Sequence, residues 1–317
     1  MTQPIRLGIS ACLLGRPVRY NGGHRLDQFI TETLGRHVEF VPVCPEVECG
    51  LPVPREAMRL VGDDPDTPRL VTSRSGRDLT DRMQAWIGGR LEELAKENLL
   101  GFIFKSGSPS SGMERVKVYN GKGMPVLKGV GMFARAFMTR FPLLPVEDDG
   151  RLHDDGLREN FIERLFAMKR WQDTLAAEPG VRGLIAFHTR EKLLIMAHSP
   201  KHVSRLGALV AHAKERPFPE VRAEYLALLV EALRLKATPA KNANALQHAM
   251  GYFKRNLGAD EKAELLEVLD HYRLGHVPLI VPVTLVNHYV RVYAQPYLAD
   301  QSYLHPHPVE LKLRNHV

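Results

Sequence analysis

The stretch "HVEFVPVCPEVECG" (residues 37–50) decides how the first half of the chain is interpreted. Its first seven residues are mostly apolar and partly β-branched, which predicts a strand. The loop that follows holds Cys44 and Cys49 on either side of the carboxylate of Glu46. The chain of 317 residues has only three cysteines, and the third, Cys12, also comes directly after an apolar run. This parallel indicates a site built from loops that follow strands.

Strand-like runs alternate with helical patterns over the first 150 residues. The strands are expected at 5–11, 37–43, 99–104, 116–119 and 143–146, and the helices at 26–35, 79–97 and 131–140. Such alternation predicts βαβ units, and therefore a Rossmann-like α/β domain with a mainly parallel sheet. The acidic, glycine-bearing segment at 146–156 suits a linker.

The second half has long helical periodicity and few strand signals. Helices are expected at 157–178, 182–215, 219–236, 241–256 and 259–274, and the apolar segment 278–298 is expected to form a buried helix pair. We therefore predict two domains, an α/β domain at 1–150 and an all-α domain at 151–317.

Composition narrows the class of protein. No apolar run approaches the roughly 20 residues of a membrane span, and the N-terminus has no signal-like segment, so a cytoplasmic protein without membrane contact is expected. An odd number of cysteines makes a poor disulfide framework and leaves packing, catalysis or metal binding. The net charge is +7, of which +2 lies before position 150 and +5 after it. This modest basic excess fits a polyanionic partner but does not require one.

Three loops follow predicted strands, at 12–23, 44–56 and 105–114. In an open α/β sheet the carboxyl ends of parallel strands share one crevice, where ligands bind. We therefore expect the three cysteines, Glu46 and the serine-rich loop "KSGSPSSGME" to converge.

The three thiols allow more than one interpretation. Cysteine is often a small buried hydrophobe, but here all three lie in Gly/Pro-rich loops. Three thiolates without a fourth protein ligand suit either an open zinc site or a [4Fe–4S] cluster with one free iron. An open metal position can bind substrate and act as a Lewis acid. The H-x-E…P-C-x-x-C pattern of the zinc deaminases is absent.

The polar residues of these loops also have two interpretations. Glu46 would act as a general acid or base beside a metal-bound substrate, or it would cap a turn or pair with an arginine. The serine-rich loop is a plausible plain turn. In the functional interpretation, Lys105 and exposed backbone N–H groups hold a phosphate or a polarised oxygen.

Six stretches of the sequence carry a resemblance to known families. The loops "SACLLGRPVRYNGGHR" (10–25), "VPVCPEVECGLPVPRE" (41–56) and "KSGSPSSG" (105–112) resemble those of the thiouracil desulfidases of the TudS type, over most of residues 5–145. The second half resembles the YbgA-type helical domain at "FHTREKLLIMAHSP" (187–200), "NALQHAMGYFKRNL" (244–257) and "QSYLHPHPVELKLRNHV" (301–317). The fused arrangement is similar to the two-domain desulfidases of the RudS type.

The resemblance implies an oxygen-sensitive [4Fe–4S] cluster held by Cys12, Cys44 and Cys49, with the fourth iron open to a thiocarbonyl sulfur. It also implies that Glu46 is the acid/base residue and that Ser108 provides a supporting hydrogen bond. The implied reaction replaces the sulfur of 4-thiouridine, in tRNA or in free thiouracil derivatives, by oxygen and releases sulfide without net redox change.

One motif departs from the family pattern. Single-domain relatives typically have Ser-Pro-Ser-Cys-Gly, whereas this chain has Ser111 in place of that cysteine. Cys49 stands where those relatives usually have glycine, so the third ligand is expected to have moved to another loop. The residues expected to contact the substrate are Tyr20, Asn21, Lys105, Ser110 and Ser111.

The role of the helical domain stays open at this point. Its basic residues either track an RNA backbone or belong to ordinary solvated helix faces; they include Lys169, Arg170, Arg190, Lys192, Lys201, Arg205, Lys254, Arg255 and Arg291. Two alternatives to a desulfidase also remain. One is a zinc-dependent nucleobase hydrolase or deaminase-like enzyme, and the other is a non-catalytic nucleic-acid-binding or redox-sensing protein.

Overall fold

The computed structural model describes residues 4–316, which form two compact units. The first unit ends at Asp154 and the second begins at Asp155. The sequence predicts a boundary four residues earlier, at 150, because the acidic segment 146–156 has the composition of a linker. Each unit has its own core and is described by itself.

Residues 4–154 of the first unit contain eight strands. They are β1 (Ile5–Ser10), β2 (Val38–Val43), β3 (Met58–Val61), β4 (Arg69–Thr72), β5 (Gly101–Phe104), β6 (Val116–Tyr119), β7 (Pro125–Gly129) and β8 (Val146–Asp148). Four of them form a parallel sheet in the order β2-β1-β5-β8, with Ser10 beside Val43 and Ile9 beside Ile103. The predicted Rossmann-like α/β fold with a mainly parallel sheet is confirmed.

Part of the segment that was expected to be a linker belongs to the parallel sheet. Val146–Asp148 pairs with β5 as an edge strand of the parallel sheet, and Asp148 is buried. The acidic composition hides this strand because the carboxylates of Glu147 and Asp148 accept hydrogen bonds inside the unit, from Arg151 above all. The linker prediction is therefore wrong for these three residues.

A second sheet, in the order β4-β3-β6-β7, was not predicted apart from β6. In it β3 pairs in parallel with β6, and the two outer pairings are antiparallel. Its strands are four or five residues long, and β7 is exposed at four of five positions. Such short strands carry too little alternation of apolar and polar residues for the sequence to reveal them.

Three α-helices complete the described part of the first unit: α1 (Pro45–Glu48), α2 (Thr80–Lys96) and α3 (Met132–Arg140). The helices predicted at 79–97 and 131–140 are confirmed. The helix predicted at 26–35 is present only in part and not as a regular α-helix, because the chain there makes one π turn (Phe29–Thr33) followed by a 3-10 turn. A segment this short, interrupted by Gly35, has too few residues to propagate a regular helix.

A cluster of phenylalanine rings holds α3 against the parallel sheet. The rings of Phe102 and Phe104 on β5 stack with their centroids 4.3 Å apart, and Phe102 also meets Phe137 at 4.8 Å and Phe133 at 5.6 Å. All four side chains are fully buried. Aromatic pairs of this kind add about 0.5–1.5 kcal/mol each beyond the area that they bury. This cluster fixes the strand that leads into the serine-rich loop.

The second unit is helical, as predicted. Its helices are α4 (Asp155–Ala177), α5 (Val181–His198), α6 (Pro200–Ala211), α7 (Phe218–Arg234), α8 (Pro239–Met250), α9 (Ala259–Arg273), α10 (Ile280–Val292) and α11 (Pro296–Ala299). The single helix expected at 182–215 is two helices, because Pro200 lacks the backbone N–H that a continuous helix needs. None of the helices within residues 4–316 has the length and the hydropathy to cross a membrane.

Gly8 in the centre of β1 provides a test of the sheet packing. A Cβ atom at this position would lie 2.3 Å from Cδ2 of the buried Phe102 ring. We expect Gly8→Ala to lower the free energy of unfolding of this unit by about 1–3 kcal/mol, the usual cost of overpacking. Urea denaturation measures the change. Gly89→Ala on the open face of α2, where a Cβ meets nothing within 4 Å, is the control and should not destabilise the unit. Equal stability of the two variants would contradict this packing.

Candidate functional site

A cavity of about 280 Å³ opens where β1, β2 and β5 end at the carboxyl edge of the parallel sheet. Its wall is formed by the three loops whose convergence the sequence predicts. The lining includes Cys12, Cys44, Glu46, Arg55, Tyr20, Lys105, Ser108 and Ser111. The loops from three separate strands therefore share one crevice.

Cys12 and Cys44 both line this cavity and both are largely buried. Burial raises the pKa of the Cys12 thiol to about 11, although Lys105 opposes the rise. Burial and then the Glu46 carboxylate raise the pKa of the Cys44 thiol to about 12. Without a bound cation, both groups are therefore neutral thiols at neutral pH.

Cys49 has a different position. It ends the short helix α1, and its thiol donates a hydrogen bond to the backbone carbonyl of Glu46 at 3.2 Å. Its side chain is half-buried against the core of the first unit, and burial raises the pKa of this thiol as well. Cys49 is not among the described residues that line the cavity. Its expected role as third ligand stays a prediction.

Glu46 is held on the cavity wall by contacts at both carboxylate oxygens. The Ser110 hydroxyl donates to Oε1 at 2.5 Å, and the Arg55 guanidinium lies 3.8 Å from Oε2. The Cys44 thiol also donates to Oε2, at 3.5 Å. Pro45 at the first position of α1 starts this turn, because its fixed φ suits a helix start. The carboxylate of Glu46 is therefore oriented beside a thiol that faces the cavity.

The serine-rich loop is compact because its serines form hydrogen bonds with one another and because two glycines allow close approach of the backbone. The Ser108 hydroxyl accepts the backbone N–H groups of Ser110 and Ser111 at 3.3 and 3.1 Å and contacts the Ser110 hydroxyl at 3.0 Å. A Cβ on Gly112 would come within 2.8 Å of the Ser108 carbonyl oxygen, and one on Gly131 within 2.5 Å of the Ser110 carbonyl. Only glycine fits at these two positions.

The expected supporting and substrate-contacting serines have distinct places. Ser108 and Ser111 line the cavity, whereas Ser110 is fully buried behind Glu46 and is absent from the described lining. The direct hydrogen bond to Glu46 comes from Ser110, with Ser108 one hydroxyl further back. Which serine contacts Glu46 directly depends on the direction of each side chain in the loop, and the motif alone does not show that direction.

The other expected substrate contacts also differ in position. Tyr20 lines the cavity, is 45% exposed and has the Arg19 guanidinium 5.7 Å from its ring centroid. Lys105 lines the cavity too. Asn21 is exposed, uses its side-chain oxygen to accept the N–H of Gly23, and lies outside the described lining. Tyr20 and Lys105 therefore share the crevice, and Asn21 does not.

Asp149 is a residue that the sequence analysis missed. Its carboxylate pairs with the Lys105 ammonium at 2.9 Å and accepts the backbone N–H of Ser106 at 2.7 Å. The Ser10 hydroxyl accepts the backbone N–H of Lys105, which joins the ends of β1 and β5. Asp149 follows β8 directly, so recognition of that strand would have placed it at the edge where the other strands end.

Arg55 was also missed, although it belongs to the quoted motif at 41–56. Its guanidinium donates to the carbonyl of Val18 at 3.0 Å, and its backbone N–H donates to the carbonyl of Tyr20 at 2.7 Å. Its side chain is only 8% exposed and approaches Glu46. Arg55 therefore ties the loop after β1 to the loop after β2. Glu46 therefore pairs with an arginine, as one of its two interpretations predicts, and it also lines the cavity.

All three cysteines are free thiols. Within residues 4–316, no three Cys, His, Asp or Glu side chains are grouped closely enough to hold a single metal ion. Each thiolate of a cluster ligates a separate iron atom, so the ligands of a cluster surround a larger volume than those of one ion.

Comparison with known proteins assigns both halves of the chain. Residues 7–149 match the family model described as 2-thiouracil desulfurase, and residues 192–308 match a family of unknown function, DUF1722. The uncharacterized protein YbbK of Bacillus subtilis (strain 168) is 31% identical over 118 residues, which cover 36% of this chain and 76% of YbbK. The chain belongs to the 2-thiouracil desulfurase family.

Two further relatives are similar to parts of this desulfurase-family chain. The uncharacterized protein YbgA of Escherichia coli (strain K12) is 31% identical over 133 residues, or 42% of this chain and 79% of YbgA. A solved structure described as the [4Fe–4S]-dependent thiouracil desulfidase TudS is 30% identical, covers 47% of this chain and 94% of its own, and superposes with a TM-score of 0.39. The expected combination of a TudS-like domain with a YbgA-type domain is confirmed.

The raised thiol pKa values in this desulfurase-family cavity predict slow alkylation in metal-free protein. With a pKa of about 11, Cys12 has about 100-fold less thiolate at pH 8 than a thiol at the reference pKa of 9.0, and Cys44 has less still. The thiolate is the nucleophile, so reaction with iodoacetamide should be slow at pH 8 and keep accelerating beyond pH 9. Mass spectrometry of each cysteine gives the rates, with glutathione as the reference thiol. Rates that level off below pH 9 would contradict the assigned environment.

Proposed function

We propose that this protein is an iron–sulfur-dependent desulfidase that converts thiolated uracil, in 4-thiouridine of tRNA or in free thiouracil derivatives, to uracil and sulfide. The observation that carries the proposal is the position of Glu46. This oriented carboxylate shares one cavity wall with two buried cysteine thiols in a member of the 2-thiouracil desulfurase family. The TudS relative is described as [4Fe–4S]-dependent, which agrees with this proposal.

The residues of the cavity fit such a cluster. Cys12 and Cys44 supply soft sulfur ligands from two separate loops, and Cys49, one turn after Cys44, is proposed as the third. The two lining thiols are neutral only while no cation is bound, because a coordinating thiol is deprotonated. Lys105 and Arg55 also place two positive charges on the wall, each of them beside a carboxylate, that of Asp149 and that of Glu46.

The residues of this chain account for the proton transfers of the reaction. A cluster with one open iron supplies a Lewis-acidic position for the thiocarbonyl sulfur. Glu46 is the base that takes a proton from the attacking water, and Ser110 and Arg55 hold its carboxylate in place. The balance is C=S plus H₂O to C=O plus H₂S, so no electrons enter or leave. Tyr20 offers an exposed ring face on which the pyrimidine can stack.

Glu46→Gln tests the base. The amide keeps the size of the side chain and cannot accept a proton, so we expect sulfide release from 4-thiouridine to fall about 100-fold or more. Protein prepared without air should keep its iron and sulfide content and its brown colour. Sulfide is measured under nitrogen after addition of the nucleoside or of thiolated tRNA.

Glu48→Gln is the matched control for this variant. Glu48 lies two residues away on the same short helix, accepts the N–H of Cys44 at 2.7 Å, and is absent from the described cavity lining. An amide oxygen can still accept that hydrogen bond, so turnover should change little. Unchanged turnover in Glu46→Gln would remove this residue from the mechanism, and wild-type protein that holds iron and sulfide without releasing sulfide from either substrate would overturn the function.

The third ligand can be tested by moving a thiol between loops. Cys49→Ala should lose cluster iron, as Cys12→Ala and Cys44→Ala should. Ser111 lines the cavity in this structure, so the double variant Cys49→Ala/Ser111→Cys should regain iron and the visible absorption of the cluster. Iron and sulfide analysis of anaerobic protein gives the readout. Full iron in Cys49→Ala alone would show that Cys49 is not a ligand.

A further inference from the structure

The helix α10 of the second unit is apolar on its outer side as well as on its inner side. The inner side is buried in the core of the unit. The residues of the outer side recur at intervals of four, three and four positions, and they are Val281, Leu285, His288 and Val292. Val281 is 38% exposed and Val292 is 55% exposed. A helix that is apolar all round is normally buried, so the prediction of buried helices at 278–298 holds for one side of α10 only.

A groove of about 450 Å³ lies between α10 and the preceding helix α9. It is lined by Glu264 and Val268 of α9 and by Val281, Thr284, Leu285 and His288 of α10, among others. The Tyr289 hydroxyl donates to Glu264 at 3.4 Å, and the Tyr293 hydroxyl donates to Glu261 at 2.9 Å. The end of α10 therefore lies beside the start of α9, and the two helices run antiparallel as the walls of the groove.

The two walls carry opposite charges. Asp260, Glu264 and Glu267 recur along one side of α9 at intervals of four and three residues, and all three are exposed. On α10, His288 lines the groove and Arg291 lies one turn further on, and both are exposed. Within residues 4–316, none of these side chains makes an ion pair. The outer sides of α9 and α10, called the α9/α10 face below, thus present an acidic side, an apolar centre and a basic side.

We propose that the α9/α10 face binds the same face of a second copy of this chain. A two-fold axis along the groove places the acidic side of each copy over the basic side of the other and buries the two apolar centres against each other. Arg291 of each copy then faces the Glu264 carboxylate of the other. Such self-complementarity is what a symmetric contact between identical surfaces requires. An axis across the groove would instead place α9 over α9 and bring like charges together, which is unfavourable.

The charges of this face also argue against other occupants. A nucleic acid and the surface of an anionic membrane are both negatively charged, so the unpaired carboxylates of α9 repel them. An exposed apolar stripe with a polar border is typical of a protein contact. A second copy already carries the matching acidic and basic sides, so no further chain of unknown sequence has to be assumed.

The oligomeric state of the full-length protein tests the contact, and it goes beyond the proposed desulfuration. Sedimentation equilibrium from about 1 to 100 µM should show monomers and dimers with a Kd in the micromolar range. Leu285→Glu should raise this Kd about tenfold or more, because the contact would bury an unpaired charge. Ile185→Glu is the matched control. Ile185 is 42% exposed on α5 and lies outside the described groove lining, so this variant should change the Kd less than about twofold.

Charge reversal separates this contact from any other dimer. Glu264→Lys alone and Arg291→Glu alone each bring like charges together twice in the symmetric dimer, so each should raise the Kd about tenfold or more. Mixed in equal amounts, the two variants should form a mixed dimer with a Kd close to that of the wild type. In that dimer each copy supplies the charge that the other copy has lost.

Circular dichroism should show the same helix content in every variant, which separates loss of the contact from loss of the fold. Sedimentation does not depend on desulfuration, so the contact can be tested whatever the activity assays show. A wild-type protein that stays monomeric at the highest of these concentrations, a Kd that Leu285→Glu leaves unchanged, or no association in the mixture of reversed variants would each overturn the proposal.

Discussion

The parallel pairing of β1 between β2 and β5 is the constraint on which the site depends. It aligns Ser10 with Val43 and Ile9 with Ile103, so the segments that follow the three strands leave the sheet at one edge and in one direction. Cys12 and Cys44, 32 residues apart in the sequence, are thereby brought to one cavity. A change of register by one residue would turn every side chain of a strand to the other face and would aim the following loop elsewhere. The phenylalanine cluster under β5 and the close contact of Gly8 with Phe102 hold this register.

The sequence predicted those features that depend on local hydrophobicity. The central strands and the loops after them could be recognised because buried parallel strands are short apolar runs ended by turn residues. The second sheet could not be recognised, because its strands are short and depend on pairing with their neighbours rather than on a hydrophobic pattern of their own. Asp149 and Arg55 were missed for the same reason. Their partners, Lys105 and the carbonyl groups at Val18 and Tyr20, become neighbours only when the sheet has formed.

The helical unit shows a similar division. A period of 3.6 residues predicted its helices, and a proline decided where one of them breaks. The polar interior was not visible in that pattern. Arg314, 4% exposed, pairs with Glu163 at 2.8 Å, and Glu163 also meets the ring of His198 at 3.1 Å. Buried charges are stable only when they are paired, so loss of one partner costs far more than a surface ion pair gains. These contacts anchor the segment around Arg314 to α4.

Arg55 has a consequence for how this family can change over evolutionary time. Its side chain joins two loops that are about 30 positions apart in the sequence, through the Val18 carbonyl on one side and the Glu46 carboxylate on the other. Its backbone N–H adds a hydrogen bond to the Tyr20 carbonyl. Insertions or deletions in either loop would break this bridge unless the other loop adjusted at the same time. The lengths of the two loops should therefore covary among relatives that keep this arginine, and drift independently among those that have replaced it.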